Sequence, residues 1–441
     1  MPKRSDQWYL DAYTGGGGFE TAAYLIRHPR ESDEKFGRRQ ELAAYPNFTR
    51  KVVGAYLGTL FRETAARSGE ASIWTDLQMD ADATGGRIDD VMRRAVLLAM
   101  LLGTIHLVVD RPPGQPATRA EEARLRPYVT IRLPGDIEAQ TLDALGRLVE
   151  VTYREQTAEG VAYRHWDAVS WWLARDPAGT QLIGSGQHSL GRVPVHRLHS
   201  TELLNPADAR ASAWAAGVAE LNGDLYQLRS ELRELLRSQT FSILTLPVVD
   251  AEQAEALKDM SVSTENAIAY NPTGGGKPAY IAPPPDPVSQ YRDAIADTIT
   301  QIYQIANLEF VGGVQQSGVA LQFHFQAAND AIGLLAQEAE RAEEAVGRLA
   351  CAWAGQPWDG RVTYPRRFNV DVLGEELKEA LTATDLGLGQ TAEALIKGRI
   401  ARRMLGDSAS EQQLADIGRE LAAAGDPYGD RIAKSVKPTG A

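Results

Sequence analysis

Apolar residues recur along this chain in three rhythms, and each predicts a different kind of element. Over residues 46–62 they fall at Phe48, Val52, Val53, Tyr56, Leu57 and Leu60, the spacing of a helix that starts near Asn47 and turns one face inward. Residues 88–102 repeat that spacing. Residues 104–110 then read Thr-Ile-His-Leu-Val-Val-Asp, a β-rich run closed by Pro112 and Pro113. From Tyr128 to Leu198 the period shortens, and strands are expected at 129–133, 148–155, 162–166, 169–174 and 193–198, separated by Gly160, Pro177, Gly179 and Gly184.

The third rhythm is heptad-like. Leu221, Leu225, Leu228, Leu232 and Leu235 alternate steps of four and three on a long helix whose other faces carry Glu220, Asp224, Arg229, Glu231, Arg233, Glu234 and Arg237. The next stretch suits no helix interior. It holds a β-prone segment over 241–249 with Phe241, Ile243, Leu244 and Val248, then Gly274 to Gly276, Tyr280, Ile281, and Pro283, Pro284, Pro285 and Pro287. A second helix follows, with Val288, Tyr291, Ile295, Ile299, Ile302 and Ile305 on one face and Asp293, Asp297 and Gln301 off it. Phe310, Val311, Gly312, Gly313, Val314, Gln315, Gln316, Ser317 and Gly318 carry three glycines and no charge, which predicts a loop. A third long helix has its stripe at Ile332, Leu335, Ala339, Ala342, Val346 and Leu349, with Glu338, Glu340, Arg341, Glu343 and Glu344 expected outside. Beyond it, 353–365 breaks the helix, 366–373 reads as a returning strand, and 390–405 is helical. Ser408 with Glu411 reads as a capping box that opens a last helix ending at Gly425. The expected fold class is α+β, predominantly helical.

Composition narrows the setting. The 441 residues allow two or three packed units, and 44% hydrophobic with 24% charged residues is an ordinary globular balance. The single cysteine, Cys351, lies between Ala350 and Ala352 and is expected to be buried, so the fold needs no oxidising compartment. No secretory leader is read in the opening Met1-Pro2-Lys3-Arg4, and the apolar run 95–103 is too short to span a bilayer, so no membrane is implied. The net charge of -12, from 58 acidic and 46 basic residues, has the wrong sign for tight phosphate binding.

Candidate chemistry fails on inspection. Gly274-Gly275-Gly276-Lys277 has Asn271 where a phosphate loop needs its leading glycine and Pro278 where it needs a hydroxyl. Gly15 to Gly18 completes no dinucleotide fingerprint. Asp80, Asp82 and Thr84 resemble a calcium loop in part, but Val91 holds the place of the bidentate glutamate, which leaves a polar turn. His196 and His199 read as structural histidines. The acid pairs Asp89 with Asp90 and Glu343 with Glu344 are expected on solvated helix faces. No catalytic, metal or cofactor site is expected, and the chain is read as a non-enzyme.

The N-terminal string Tyr24-Leu25-Ile26-Arg27-His28-Pro29-Arg30-Glu31, then Arg38-Arg39, Tyr45-Pro46-Asn47-Phe48-Thr49-Arg50 and Gly58-Thr59-Leu60-Phe61-Arg62, resembles the opening of the tailed-bacteriophage portal family. Leu190-Gly191-Arg192-Val193-Pro194 is similar to that family's Leu-Gly-x-x-Pro turn. The resemblance covers most of the chain and implies a portal fold of wing, stem, clip and crown. By it, residues 1–213 are the wing, 214–238 and 288–307 the two stem helices, 239–287 the clip and 308–318 the tunnel loop. Residues 319–365 are a long inner wing helix with its turn, and 366–441 the wing return strand and crown.

The resemblance further implies a homo-oligomeric ring of about twelve copies around a central channel at one capsid vertex. Such a head-to-tail connector serves genome packaging, retention and ejection, and is made in the host cytoplasm. Implied partners are the terminase large subunit, a head-tail adaptor, the major capsid and scaffolding proteins, and double-stranded DNA passing without sequence specificity. Val311, Gly312, Gly313, Val314, Gln315, Gln316 and Ser317 would face the DNA, and the leucine and isoleucine stripes, including Leu221, Leu225, Leu228, Leu232, Leu235, Ile295, Ile299 and Ile302, would pack the stem. Phe241, Ile243, Leu244, Val248, Tyr280 and Ile281 would build the clip. The alternatives are another virion structural protein, a capsid or minor head component, or a metal-dependent nuclease built on scattered acids.

Overall fold

The apolar period over Ile88–Leu102 forms a helix with those bounds, and Asp89 and Asp90 in its first turn complement the positive end of its dipole. Gly103 stops it. There φ is +87°, and a Cβ would lie 2.1 Å from the Ala211 carbonyl oxygen, so only glycine fits. The chain then reverses into the strand Thr104–Asp110, whose first six residues are buried. The computed structural model describes residues 4–112, 114, 125–240, 243–247, 267–270, 277, 279–281, 286–308 and 318–365, all within one compact unit, Met1–Arg367.

In chain order the helices are α1 (Asp6–Thr14), α2 (Asp33–Glu41), α3 (Phe48–Leu60), α4 (Ser72–Met79), α5 (Ile88–Leu102), α6 (Ala216–Thr240), α7 (Asp286–Ile305) and α8 (Gly318–Trp353). The strands are β1 (Ala66–Ser68), β2 (Thr104–Asp110), β3 (Tyr128–Arg132), β4 (Ile137–Leu142), β5 (Leu148–Thr157), β6 (Gly160–Trp166) and β7 (Ser170–Ala174). They continue with β8 (Leu182–Gln187), β9 (Val195–His199), β10 (Ile243–Pro247), β11 (Ala267–Tyr270), β12 (Ala279–Ile281) and β13 (Arg361–Thr363). The protein is mixed α+β.

One sheet has the order β3-β2-β9, and the meander β4-β5-β6-β7-β8 is antiparallel throughout. Helices α5 and α8 pack on β2 and β9. Their buried alanines, Ala95, Ala99, Ala339 and Ala342, let the backbones approach closely. Trp353 at the end of α8 donates its indole N–H to the Val109 carbonyl at 2.8 Å, which ties the helix terminus to β2. Cys351 is buried there.

The meander contains two strands that the sequence pattern does not predict. β4 alternates only weakly, and β8 reads Leu-Ile-Gly-Ser-Gly-Gln. Gly186 has a packing reason: a Cβ there would meet the Trp171 ring at 2.8 Å, so Trp171 lies across the strand. A short strand returns to the N-terminal region at Arg361–Thr363 and pairs antiparallel with β1. The strand expected at 366–373, and the helices expected after it, lie outside the described residues.

Two expectations are corrected. Glu343 is not on a solvated face. Its side chain is fully buried and accepts Arg67 Nε at 2.5 Å and Nη2 at 3.2 Å, and the Tyr364 hydroxyl at 2.5 Å. Arg67 also donates to Asp89 at 2.7 Å, so Asp89 is likewise an ion-pair partner, three-quarters buried. Burial opposes the Arg67 charge, but its bonds to these carboxylates prevail and raise its pKa overall. The cluster pins the β1/β13 pair to α8 and α5.

Candidate functional site

The leucines and isoleucines expected to pack a stem fall on the helical hairpin of α6 and α7. Gly217 lies against Ile305 near the body, and the Tyr291 hydroxyl donates to Glu231 at 3.0 Å farther along, so the two helices run antiparallel. Leu225 and Ile302 are fully buried between the helices and the body. Leu221, Leu228, Leu232, Leu235, Ile295 and Ile299 are half-buried, so the single chain covers their apolar stripes incompletely. Ile305 is 55% exposed.

A second face of α6 is polar and grips the N-terminal arm. Buried Asn222 donates to the Pro46 carbonyl at 2.7 Å and accepts the Thr49 amide and hydroxyl at 3.0 and 3.1 Å. Gln227 donates to the Tyr24 carbonyl at 2.7 Å and accepts the Ile26 amide at 3.0 Å, and Ser230 accepts Arg39 Nε at 3.1 Å. Within the arm, Asn47 caps α3 by accepting the Arg50 amide at 2.8 Å and donates to the Tyr13 carbonyl. The Tyr45 hydroxyl donates to the Ala12 carbonyl at 2.9 Å. Tyr24, Ile26, Arg39, Pro46 and Thr49 of the resembling strings thus fasten the arm to α6, as do Tyr9, Phe19 and Leu42 through Glu220, Tyr226 and Arg233. Periodicity did not reveal the α6 partners, since Asn222, Gln227 and Ser230 are polar and sit off the leucine stripe.

The body end of α7 is held by α3. Tyr56 donates to the Ala306 carbonyl at 2.6 Å, Lys51 to the Tyr303 hydroxyl at 3.0 Å, and Phe48 meets the Tyr303 ring edge-on. Asn307 ends the helix at φ +51°, a left-handed conformation that asparagine tolerates. These contacts fix the point from which the chain leaves toward α8. Val311, Gly312, Gly313, Val314, Gln315, Gln316 and Ser317 lie outside the described residues.

At the far end of the hairpin the inserted residues form a three-stranded sheet in the order β11-β10-β12, parallel on one side and antiparallel on the other. Ile243 pairs with Ile281 and Leu244 with Tyr280. The Thr245 hydroxyl donates to the Ala279 carbonyl at 2.8 Å, and the Tyr280 side chain is 69% exposed. Both outer strands present an edge to further pairing among the described residues. Phe241 and Val248 lie outside them.

No protein-family model matches the chain, and neither does any curated protein sequence. Among solved structures it is similar to a chain in the neck of an empty gene transfer agent (GTA) particle computed with C6 symmetry, at TM-score 0.40 and 12% identity, over 94% of this chain and 99% of that one. It is also similar to a chain in the virion of a native gene transfer agent particle, at TM-score 0.39 and 12% identity, over 87% of this chain and 95% of that one.

The sites weighed for chemistry have structural occupations. Asp82 accepts the Thr84 and Gly86 amides at 2.9 and 3.0 Å, while Asp80 accepts the Gly85 amide and pairs with Arg126 beyond the turn, so both carboxylates have structural partners. Gly17 leaves room for the Asp11 carboxylate, which a Cβ would meet at 2.2 Å. His196 and His199 stand on β9, three apart on a period-two strand, so they point to opposite faces. His199 Nδ1 is 2.8 Å from the Thr104 hydroxyl, whereas His196 lies near Arg348 of α8. Burial pushes both imidazoles down to about 4, with neighbouring positive charge adding to it. Among the described residues no three His, Cys, Asp or Glu side chains cluster as a metal site, and no helix is long and apolar enough to cross a membrane.

Proposed function

We propose that the chain is a portal subunit of a phage-like particle: a ring, about twelve copies strong, that passes double-stranded DNA through the capsid wall and joins head to tail. The observation that carries this reading is the layout of one hairpin. Two long antiparallel helices, α6 and α7, leave an α+β body, hold a small β-sheet at their far end, and return to the body just before a glycine-rich segment and the long helix α8.

Each part has a physical use in such a ring. Half-buried Leu228, Leu232, Ile295 and Ile299 gain full burial only against another surface, and identical neighbours around an axis supply it. At 1.5 Å per residue α6 and α7 measure about 37 and 30 Å, a length that suits crossing a protein shell. The sheet edges suit strand pairing with a neighbouring copy, and the sheet is the surface assigned to the packaging motor and later the tail adaptor. Val311, Val314, Gln315 and Gln316 would touch DNA without salt links, and an acidic protein would let it slide.

Electron micrographs of the purified full chain test this. Closed rings with a central hole are expected; a monodisperse monomer at high concentration, or closed shells, would overturn the reading. In particles, Gln315→Lys with Gln316→Lys should impair packaging or DNA retention, and unchanged behaviour would remove these residues from the lumen.

A further inference from the structure

The hairpin carries charge of opposite sign on different faces. On one side α6 and α7 enclose a groove lined by the apolar Leu232, Leu236, Ile295 and Ile299 together with three arginines, Arg229, Arg233 and Arg292. Leu236 is 43% exposed, a large apolar side chain left open to solvent. Turned away from the groove residues by helical spacing, on the outer face of α7, stand Asp293 and Asp297, both exposed. Among the described residues Arg229, Arg292, Asp293 and Asp297 have no ion-pair partner. The contacts Tyr291 to Glu231 and Ile305 to Gly217 set the antiparallel register, which brings Arg229 level with Asp293 and Asp297 level with Leu225. The basic band and the acidic band therefore circle the stem at about the same height.

Unpaired charges of both signs at one level, on different faces of a half-buried apolar hairpin, make a surface complementary to itself by rotation. The geometry points to a second copy of this chain as the occupant of the groove: its Asp293/Asp297 flank docks against Arg229 and Arg292, and its stem covers Leu232, Leu236, Ile295 and Ile299. The contact is heterologous, because each copy offers a basic groove on one face and an acidic flank on another, and such contacts close into rings. This rests on the ring reading and adds which flank meets which. Exposed pairs of this kind set register and specificity more than affinity, with burial of the groove supplying adhesion.

The experiment uses two full-length variants. Arg229→Glu with Arg292→Glu makes both flanks acidic, and Asp293→Lys with Asp297→Lys makes both basic. Melting curves check that each folds as wild type does; if a reversal does not, Arg229→Gln with Arg292→Gln and Asp293→Asn with Asp297→Asn replace them, and the readout becomes a rightward shift of the assembly midpoint. Each reversed variant alone should lose the ring peak in size exclusion and mass photometry, and an equimolar mixture should regain it with the two chains alternating. Wild-type rings should also loosen as salt rises and the Debye length falls from about 8 to about 3 Å. If wild type forms rings and both variants do so unaltered, the groove assignment fails while the ring reading stands. If wild type never assembles, the ring reading itself fails. Should wild type bind a short DNA duplex by fluorescence anisotropy and the arginine variant lose that binding, the groove is a phosphate site and the assignment is overturned.

Discussion

Replacing Glu343 by leucine should be among the most damaging single changes in the body. The carboxylate is fully buried, and it receives two N–H bonds from Arg67 and one O–H bond from Tyr364. Leucine would leave the Arg67 guanidinium, itself only 9% exposed in its side chain, with Asp89 alone, and the Tyr364 hydroxyl with no acceptor at that position. Removing one partner of a buried pair costs about 3–5 kcal/mol. The surviving Asp89 contact at 2.7 Å holds the loss to the lower end, about 3 kcal/mol. At about 2–4 °C per kcal/mol, the Tm of the folded chain should fall by about 6–12 °C. Differential scanning fluorimetry of wild type, Glu343→Leu and the pair Arg67→Met with Glu343→Leu measures it. The double variant should recover part of the loss, since it no longer strands the buried Arg67 charge, while Asp89 and the Tyr364 hydroxyl remain without their partners. A single-variant shift below about 1 °C, or a double variant worse than the single one, would refute the reasoning.

Three more outcomes follow from the same structure. His106, His196 and His199 are pushed down to about 3, 4 and 4 by burial; the unfolded chain binds protons from about pH 6.5 while the folded one does not, so Tm should fall as pH drops from 6.5 toward 4, and His196→Gln should flatten that slope. Asn222→Leu strands the Thr49 amide and the Pro46 carbonyl and should cost about 2–3 kcal/mol, read as a lower Tm and faster proteolysis of the N-terminal arm. Gly103→Ala would force a Cβ against the Ala211 carbonyl oxygen at φ +87° and should remove most soluble protein, whereas Gly333→Ala, which meets nothing within 4 Å, should leave solubility and Tm as in wild type.

How much of this was legible in the sequence depended on whether one residue pattern or two distant ones defined an element. The α5 and β2 bounds followed from period and from Pro112 and Pro113, because local preference and burial agree there. The α2 segment Asp-Glu-Lys-Phe-Gly-Arg-Arg-Gln-Glu has a single large apolar residue, so no stripe announces it; its Ser32 cap and the reach of Arg39 to Ser230 define it, and the second is tertiary information. β8 hid behind glycines that make sense only once Trp171 is seen lying on them. Glu343 was misread by its charge. Its place, four after Ala339 and three before Val346, falls on the apolar stripe of α8, and that spacing was the available signal. On α6 and α7 the leucine and isoleucine stripes were readable, while the polar grip of Asn222, Gln227 and Ser230 was not, because its partners lie far back in the chain.

That grip bears on how the polypeptide is made. Gln227 meets Tyr24, Arg39 meets Ser230 and Thr49 meets Asn222 across separations of 203, 191 and 173 residues. During synthesis the arm therefore emerges long before the helix that receives it, with Trp8, Phe19, Tyr24 and Tyr45 still lacking Ala219 and Tyr226, against which they finally rest. For that interval the nascent chain displays a sticky aromatic surface that chaperones would have to shield. The latch closes only once translation has passed residue 230, so a truncated product ending earlier would keep an undocked arm and be marked for degradation.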